Sequence, residues 1–111
     1  MIIDFSNIPE KKFDNFKGGD KHFINRAFDD DDNKIMFGVL EPGSSIGYHK
    51  HETNSETIFV ISGEGHVLYD NGEEDVKAGQ VHYCPMGHSH SLINKSESIK
   101  LEFFAVVGRH Q

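Results

Sequence analysis

His49-Lys50-His51 sets two imidazoles two residues apart. On an extended strand such residues share a face, so both rings project the same way. Glu56 follows five residues later at the head of an apolar strand, enough chain for a bend and a return that brings a carboxylate near the rings. Far along the chain, Pro85-Met86-Gly87 makes a turn and His90 comes next on a strand. Three imidazoles and one carboxylate converging on one point form a mixed nitrogen and oxygen set that suits a divalent first-row metal: Fe, Mn, Ni, Co, Cu or Zn. A His-x-His pair alone on a surface strand is usually just solvated, so the pair takes its weight from the residues around it.

Other residues with useful chemistry flank this set. His88 sits on the turn two residues before His90, within reach of a pocket mouth as an acid, base or substrate contact, or else solvated. His82 and Tyr83 are adjacent on a strand, so only one faces a barrel interior; whichever does is a candidate proton donor. His22 and Arg26 share a face of an early strand. Turned inward, Arg26 grips a carboxylate through its planar fork; turned outward, it lies on the surface or at an interface. His66 reads as structural or exposed. Cys84 reads as a small buried hydrophobe. The acidic run at 29–32 lacks the spacing and glycine of a calcium loop and reads as a solvated connection.

These residues need strands to hold them. Three Pro and eleven Gly punctuate short apolar runs, the rhythm of an all-β domain. Strands are expected over 22–28, 35–41, 46–51, 57–61, 66–70, 73–77, 81–84, 89–93 and 99–107. Asn71-Gly72 predicts a tight type I′ hairpin, because both central positions need positive φ. Residues 9–16 could hold one helical turn. No stretch carries sustained helical periodicity, so two packed sheets in a jelly roll are expected. Glu56, Ile58 and Val60 share one face of their strand, and Thr57, Phe59 and Ile61 the other. If Glu56 points inward, Phe59 and Ile61 point out and need cover, from the N-terminal segment (Phe5, Ile8, Phe13, Phe16) or from a second subunit.

Composition narrows the partners. The chain has 111 residues, room for a single domain over 1–111. Eleven Lys and Arg against eighteen Asp and Glu give a net charge of −7, which repels phosphate backbones and anionic lipid. Nucleic acid and membrane are therefore not expected partners. No apolar run approaches the roughly 18–20 residues of a membrane span. Residues 1–5 lack the basic stretch and apolar core of a signal peptide. With one cysteine there is no intrachain disulfide, and a cytoplasmic location is expected.

The complete spacing resembles that of the cupin superfamily. Gly43, five residues, His49-x-His51, four residues, Glu56, six residues and Gly63 match the first cupin motif, at 43–63. Gly79, five residues, Pro85-x-Gly87, two residues, His90, three residues and Asn94 match the second, at 79–94. Fifteen residues separate the motifs, as in small single-domain members of the conserved-barrel kind. Gln80 stands where many members have Asp, a position that shapes a turn rather than the metal site. The resemblance implies a double-stranded β-helix (jelly-roll) barrel with one divalent transition metal near its middle, held by His49, His51, Glu56 and His90. It also implies a homodimer.

Three neutral imidazoles, one carboxylate and a divalent cation leave a local charge of about +1. Four protein ligands on an octahedral ion leave two positions, which suit a bidentate anion or dioxygen plus one substrate atom. The expected function is a metal-dependent enzyme of dioxygenase, isomerase or lyase type acting on a small polar or anionic molecule. The alternative is a non-catalytic module that binds or senses a sugar or carboxylate.

Overall fold

Short apolar runs that alternate with polar residues drive most of the chain into strands. The computed structural model describes residues 1–110, and among these it forms ten strands. They are β1 (Lys11–Asp14), β2 (His22–Asp29), β3 (Asn33–Leu40), β4 (Ser45–Lys50) and β5 (Asn54–Ser62), then β6 (Glu64–Tyr69), β7 (Gly72–Lys77), β8 (Val81–Cys84), β9 (Ser89–Ile93) and β10 (Leu101–Arg109). One sheet has the order β1-β2-β3-β10-β5-β8 and the other β4-β9-β6-β7. All pairings are antiparallel. The two sheets enclose one core, the expected jelly roll.

The core follows strand parity. Ile58 and Val60 of β5, Val67 of β6, Leu92 of β9, and Leu101 and Phe103 of β10 are fully buried or nearly so. Phe103 pairs with Gly38 across the β10–β3 ladder and stacks on Phe23 at 5.9 Å. A Cβ at Gly38 would collide with the Phe103 ring, so this glycine is what admits the aromatic.

Three expectations are corrected. Residues 9–16 hold no helical turn: 11–14 form β1, paired with β2 from Lys11↔Asn25 to Asp14↔His22. That pairing sets Phe13 beside Phe16 and Phe23, a tertiary gain that local propensity does not register. The hairpin loop is Asp70-Asn71 rather than Asn71-Gly72, since Tyr69 pairs with Gly72. Only Asp70 in this loop has positive φ, at 50°, so the turn is not type I′. Asp70 is held there from outside the hairpin: its carboxylate accepts from the Ser89 N–H at 3.0 Å, and its carbonyl from the Tyr48 hydroxyl at 3.0 Å. Finally, β10 starts at Leu101, not at residue 99. Buried Asn94 closes the preceding loop by donating to the Leu40 and Ile99 carbonyls and accepting from the Ser96 N–H.

Two irregularities position the site. The β4–β9 ladder pairs Ile46 with Leu92 and then His49 with His90, so β4 carries one surplus residue. Such a bulge re-aims the side chains beyond it. Strict alternation from buried Ile46 would point Tyr48 inward; instead Tyr48 is exposed and His49 faces the interior. Beside the bulge, a 3₁₀ turn at Phe16–Gly18 lies against β4 with no Cβ between the two backbones. A Cβ at Gly19 would strike the Ser45 carbonyl oxygen, and one at Gly47 the Lys17 carbonyl oxygen.

Candidate metal centre

His49 and His51 project inward from the end of β4 and the residue just beyond it. Glu56 enters from β5 of the opposite sheet, and His90 from β9, directly across from His49. One ligating atom from each lies within 4.8 Å of all the others. Nε2 of His51 is 3.1 Å from Nε2 of His49 and 2.8 Å from Nε2 of His90. Glu56 Oε1 is 3.0 Å from His90 Nε2 and 3.3 Å from His51 Nε2.

Hydrogen bonding behind the rings determines what the cluster can hold. The His49 Nδ1–H donates to the Gly47 carbonyl at 2.7 Å, and the His51 Nδ1–H to Asn54 Oδ1. A carbonyl oxygen only accepts, so in the neutral rings both Nε2 atoms carry lone pairs that face each other. A cation among them relieves that opposition. Separations near 3 Å also match ligand atoms bound at about 2.1 Å to a common ion. The donor set therefore fits a divalent metal.

Charge is distributed accordingly. Burial favours the neutral acid at Glu56, but hydrogen bonds from His51, once that ring is protonated, and from His90 outweigh it and hold the carboxyl at about 2. Burial opposes charge on His51 as well; Glu56 and Asn54 overcome it and raise its pKa. His49 is shifted down, first by burial and then by the neighbouring imidazoles His90 and His51, against the Gly47 hydrogen bond.

A cavity of about 370 Å³ opens onto the cluster, with His49, His51 and Glu56 in its wall. Lys17, Lys34 and Lys50 line it as well. Lys17 comes from the 3₁₀ turn latched to β4 and has φ of 55°, a conformation with no sequence signature. A larger hollow of about 780 Å³ lies on the outer face of β6 and β7 around His66 and Asp75. Its His66 ring is tied to Asp75 at 2.8 Å, while Nε2 lies 3.4 Å from Glu73 Oε2 without hydrogen-bond alignment. Among the described residues it holds no converging ligand set, whereas His49, His51 and Glu56 of the cluster stand in the wall of the smaller cavity.

The four pocket candidates from the sequence lie elsewhere. Of the adjacent pair, His82 faces inward and Tyr83 outward, but His82 sits behind His90 rather than on the cavity wall. His88 pairs with Asp70 at 2.6 Å and stacks on Tyr69. Arg26 donates to the Ile8 carbonyl at 2.7 Å, pinned under the N-terminal segment. Cys84 is buried, and desolvation lifts its thiol to about 11, in keeping with an inert core residue. At 29–32, Asp30 accepts from the Asp32 and Asn33 N–H groups and Asp29 pairs with Arg109, which makes this run a structured β2–β3 turn. Gln80 accepts from the Lys77 N–H, the turn role expected of it.

Among the described residues, no helix is long and apolar enough to cross a membrane. The cupin domain family matches residues 36–107. An oxalate-binding protein of Thermotoga maritima is 34% identical over 96% of this chain and 93% of its own length. The crystal structure of a predicted oxalate decarboxylase, also from Thermotoga maritima, superposes with a TM-score of 0.90 at 30% identity, covering 98% of this chain and 99% of that one. A cupin-superfamily sugar phosphate isomerase from Silicibacter pomeroyi shares the fold alone, with a TM-score of 0.78 at 18% identity over 98% of this chain and 76% of that one. With both motifs in place, the barrel formed and the family matched over most of its length, the chain belongs to the cupin domain family.

Proposed function

We propose that this single-domain cupin holds one divalent first-row metal through His49, His51, Glu56 and His90 and binds a small carboxylate anion of the oxalate class beside it. One juxtaposition carries the reading: a four-ligand cluster at a cavity whose wall also bears Lys17, Lys34 and Lys50. The chain as a whole is charged −7, yet three of its eleven basic residues gather here. The metal would supply Lewis acidity to a bound carboxylate or carbonyl oxygen. The lysines attract and orient the anion, and Phe16, Phe23 and Ile46 keep part of the wall dry. The names of the two Thermotoga relatives make oxalate the first ligand to try.

The reading has an enzymatic form, with dioxygenase, isomerase or lyase turnover, and a binding form without turnover. The placement of His82, Tyr83, His88 and Arg26 off the cavity wall favours the binding form, and the groups on that wall left to move a proton for the enzymatic form are Glu52, Thr53 and the lysines. Protein purified without chelator or histidine tag is analysed for metal, reloaded with Mn(II), and titrated with oxalate by calorimetry. One equivalent of metal and metal-dependent oxalate binding are expected. No metal after reloading, or equal oxalate binding by stripped protein, overturns the reading. Oxalate consumed with release of carbon dioxide selects the enzymatic form.

A homodimer belongs to the same proposal. Phe59, Ile61, Val81 and Tyr83 remain exposed on the outer face of β5 and β8. Phe5 packs near Phe37 and Phe104 and leaves those four uncovered. One free thiol and an acidic chain support a cytoplasmic setting.

A further inference from the structure

Each of the three clustered imidazoles has a different partner behind it. His49 has a backbone carbonyl and His51 a side-chain amide oxygen, both fixed acceptors. His90 has another imidazole: His82 Nε2 lies 3.0 Å from His90 Nδ1. Both rings are buried, His82 at 4% exposure and His90 at 1%, and they stack at 5.2 Å with 29° between planes. Tyr69 meets His82 edge-on at 5.6 Å and packs it in place. On the far side, His82 Nδ1 faces Glu74 Oε1 of β7 at 3.7 Å.

A single hydrogen occupies the contact between the two imidazoles, and it can belong to either ring. If His82 owns it, the remaining hydrogen of neutral His90 sits on Nε2, pointing into the cluster and blocking a ligand position. The bare Nδ1 of His82 then faces the Glu74 carboxylate, lone pair against negative charge. If His90 owns the shared hydrogen, its Nε2 is a free lone pair. His82 then carries its own hydrogen on Nδ1, directed at Glu74. In the first arrangement the His90 Nε2–H is taken up by Glu56 Oε1, 3.0 Å away; only the second leaves His90 Nε2 free to ligate a metal, with the His82 Nδ1–H directed towards Glu74.

We propose that His82 is a positioning residue for the metal centre: backed by Glu74, it accepts the His90 Nδ1–H and so fixes His90 in the tautomer whose Nε2 binds metal. His82 touches neither cavity nor metal and acts only through His90. This rests on the metal-site reading above, and the test separates the two.

The experiment uses the full chain and Zn(II), a diamagnetic probe. Zn(II) affinity is measured by chelator competition for wild type, His82→Phe, His82→Gln, Glu74→Gln and His66→Ala, with thermal melts to check folding. Long-range ¹H–¹⁵N spectra of Zn-loaded wild type report which ring nitrogens carry hydrogen. The expected loss for His82→Phe is about 10–100-fold in affinity, the range for outer-shell partners of ligating histidines. His82→Gln, whose side-chain oxygen still accepts, recovers most of it. Glu74→Gln loses a smaller factor, His66→Ala none, and the spectra show His90 protonated at Nδ1 with His82 bare at Nε2. The proposal is overturned if folded His82→Phe binds Zn(II) within twofold of wild type, if His82→Gln is as weak as His82→Phe, or if the loaded spectrum shows His82 protonated at Nε2. The spectrum decides the matter even if His82→Phe fails to fold. Wild type that binds no Zn(II) defeats the metal-site reading itself, and this inference with it.

Discussion

At the scale of single residues, the cluster divides the histidines by what lies behind them. His51 faces three ligating partners, whereas His66 faces carboxylates on the barrel's outside. His51→Ala is therefore expected to strip most bound metal, and His66→Ala to leave the content unchanged; elemental analysis of both decides it. Glu56 gives a pH signature in metal-free protein. Its carboxyl sits at about 2 when folded against a usual 4.5. Its contribution to stability is thus present above pH 4.5 and lost as pH falls towards 2. The shift at His51 is upward, so its contribution is present below the usual 6.5 and fades as pH rises through the folded value. Urea midpoints should fall across the acid window for wild type, and Glu56→Gln should flatten that limb. A wild-type profile that is level across the window refutes the account.

At the scale of elements, the sequence discloses the clustered residues better than the devices that aim them. Parity in β5 correctly sends Glu56, Ile58 and Val60 inward, because that strand is regular where it crosses the core. His49 and His51 do share a face, but their inward aim depends on the surplus residue in β4, which the sequence marks only through Gly47. Lys17 was illegible for a related reason. It reaches the cavity because two glycines, far apart in sequence, let a 3₁₀ turn lie against β4. Gly47→Ala should test this latch: the added methyl meets the Lys17 carbonyl oxygen, and either the turn or the bulge must shift. We expect a loss of about 1–3 kcal/mol in urea unfolding together with weaker metal binding. Gly72→Ala, whose Cβ would meet only one atom, at 3.8 Å, should leave metal binding intact. Equal effects of the two substitutions would remove the latch from the explanation.

At the scale of the whole molecule, one sheet face stays apolar and open. Phe59 and Tyr83 lie on it at 40% and 54% exposure. Scattering at micromolar concentration should give the mass of two chains, and Phe59→Asp with Tyr83→Asp should give that of one. A wild-type mass of 12.5 kDa contradicts the dimer. The division of the cluster between the sheets has a mechanical consequence. Glu56 stands in the six-stranded sheet, while His49 and His90 stand in the four-stranded one. An ion held by both is a rivet through the two shells of the barrel. Opening the barrel along its seam must break that rivet, so metal at a hundredfold excess over Kd should add about 2.7 kcal/mol to unfolding. The amides nearest the seam should then exchange only as fast as the ion departs, which makes shell separation and metal release a single event.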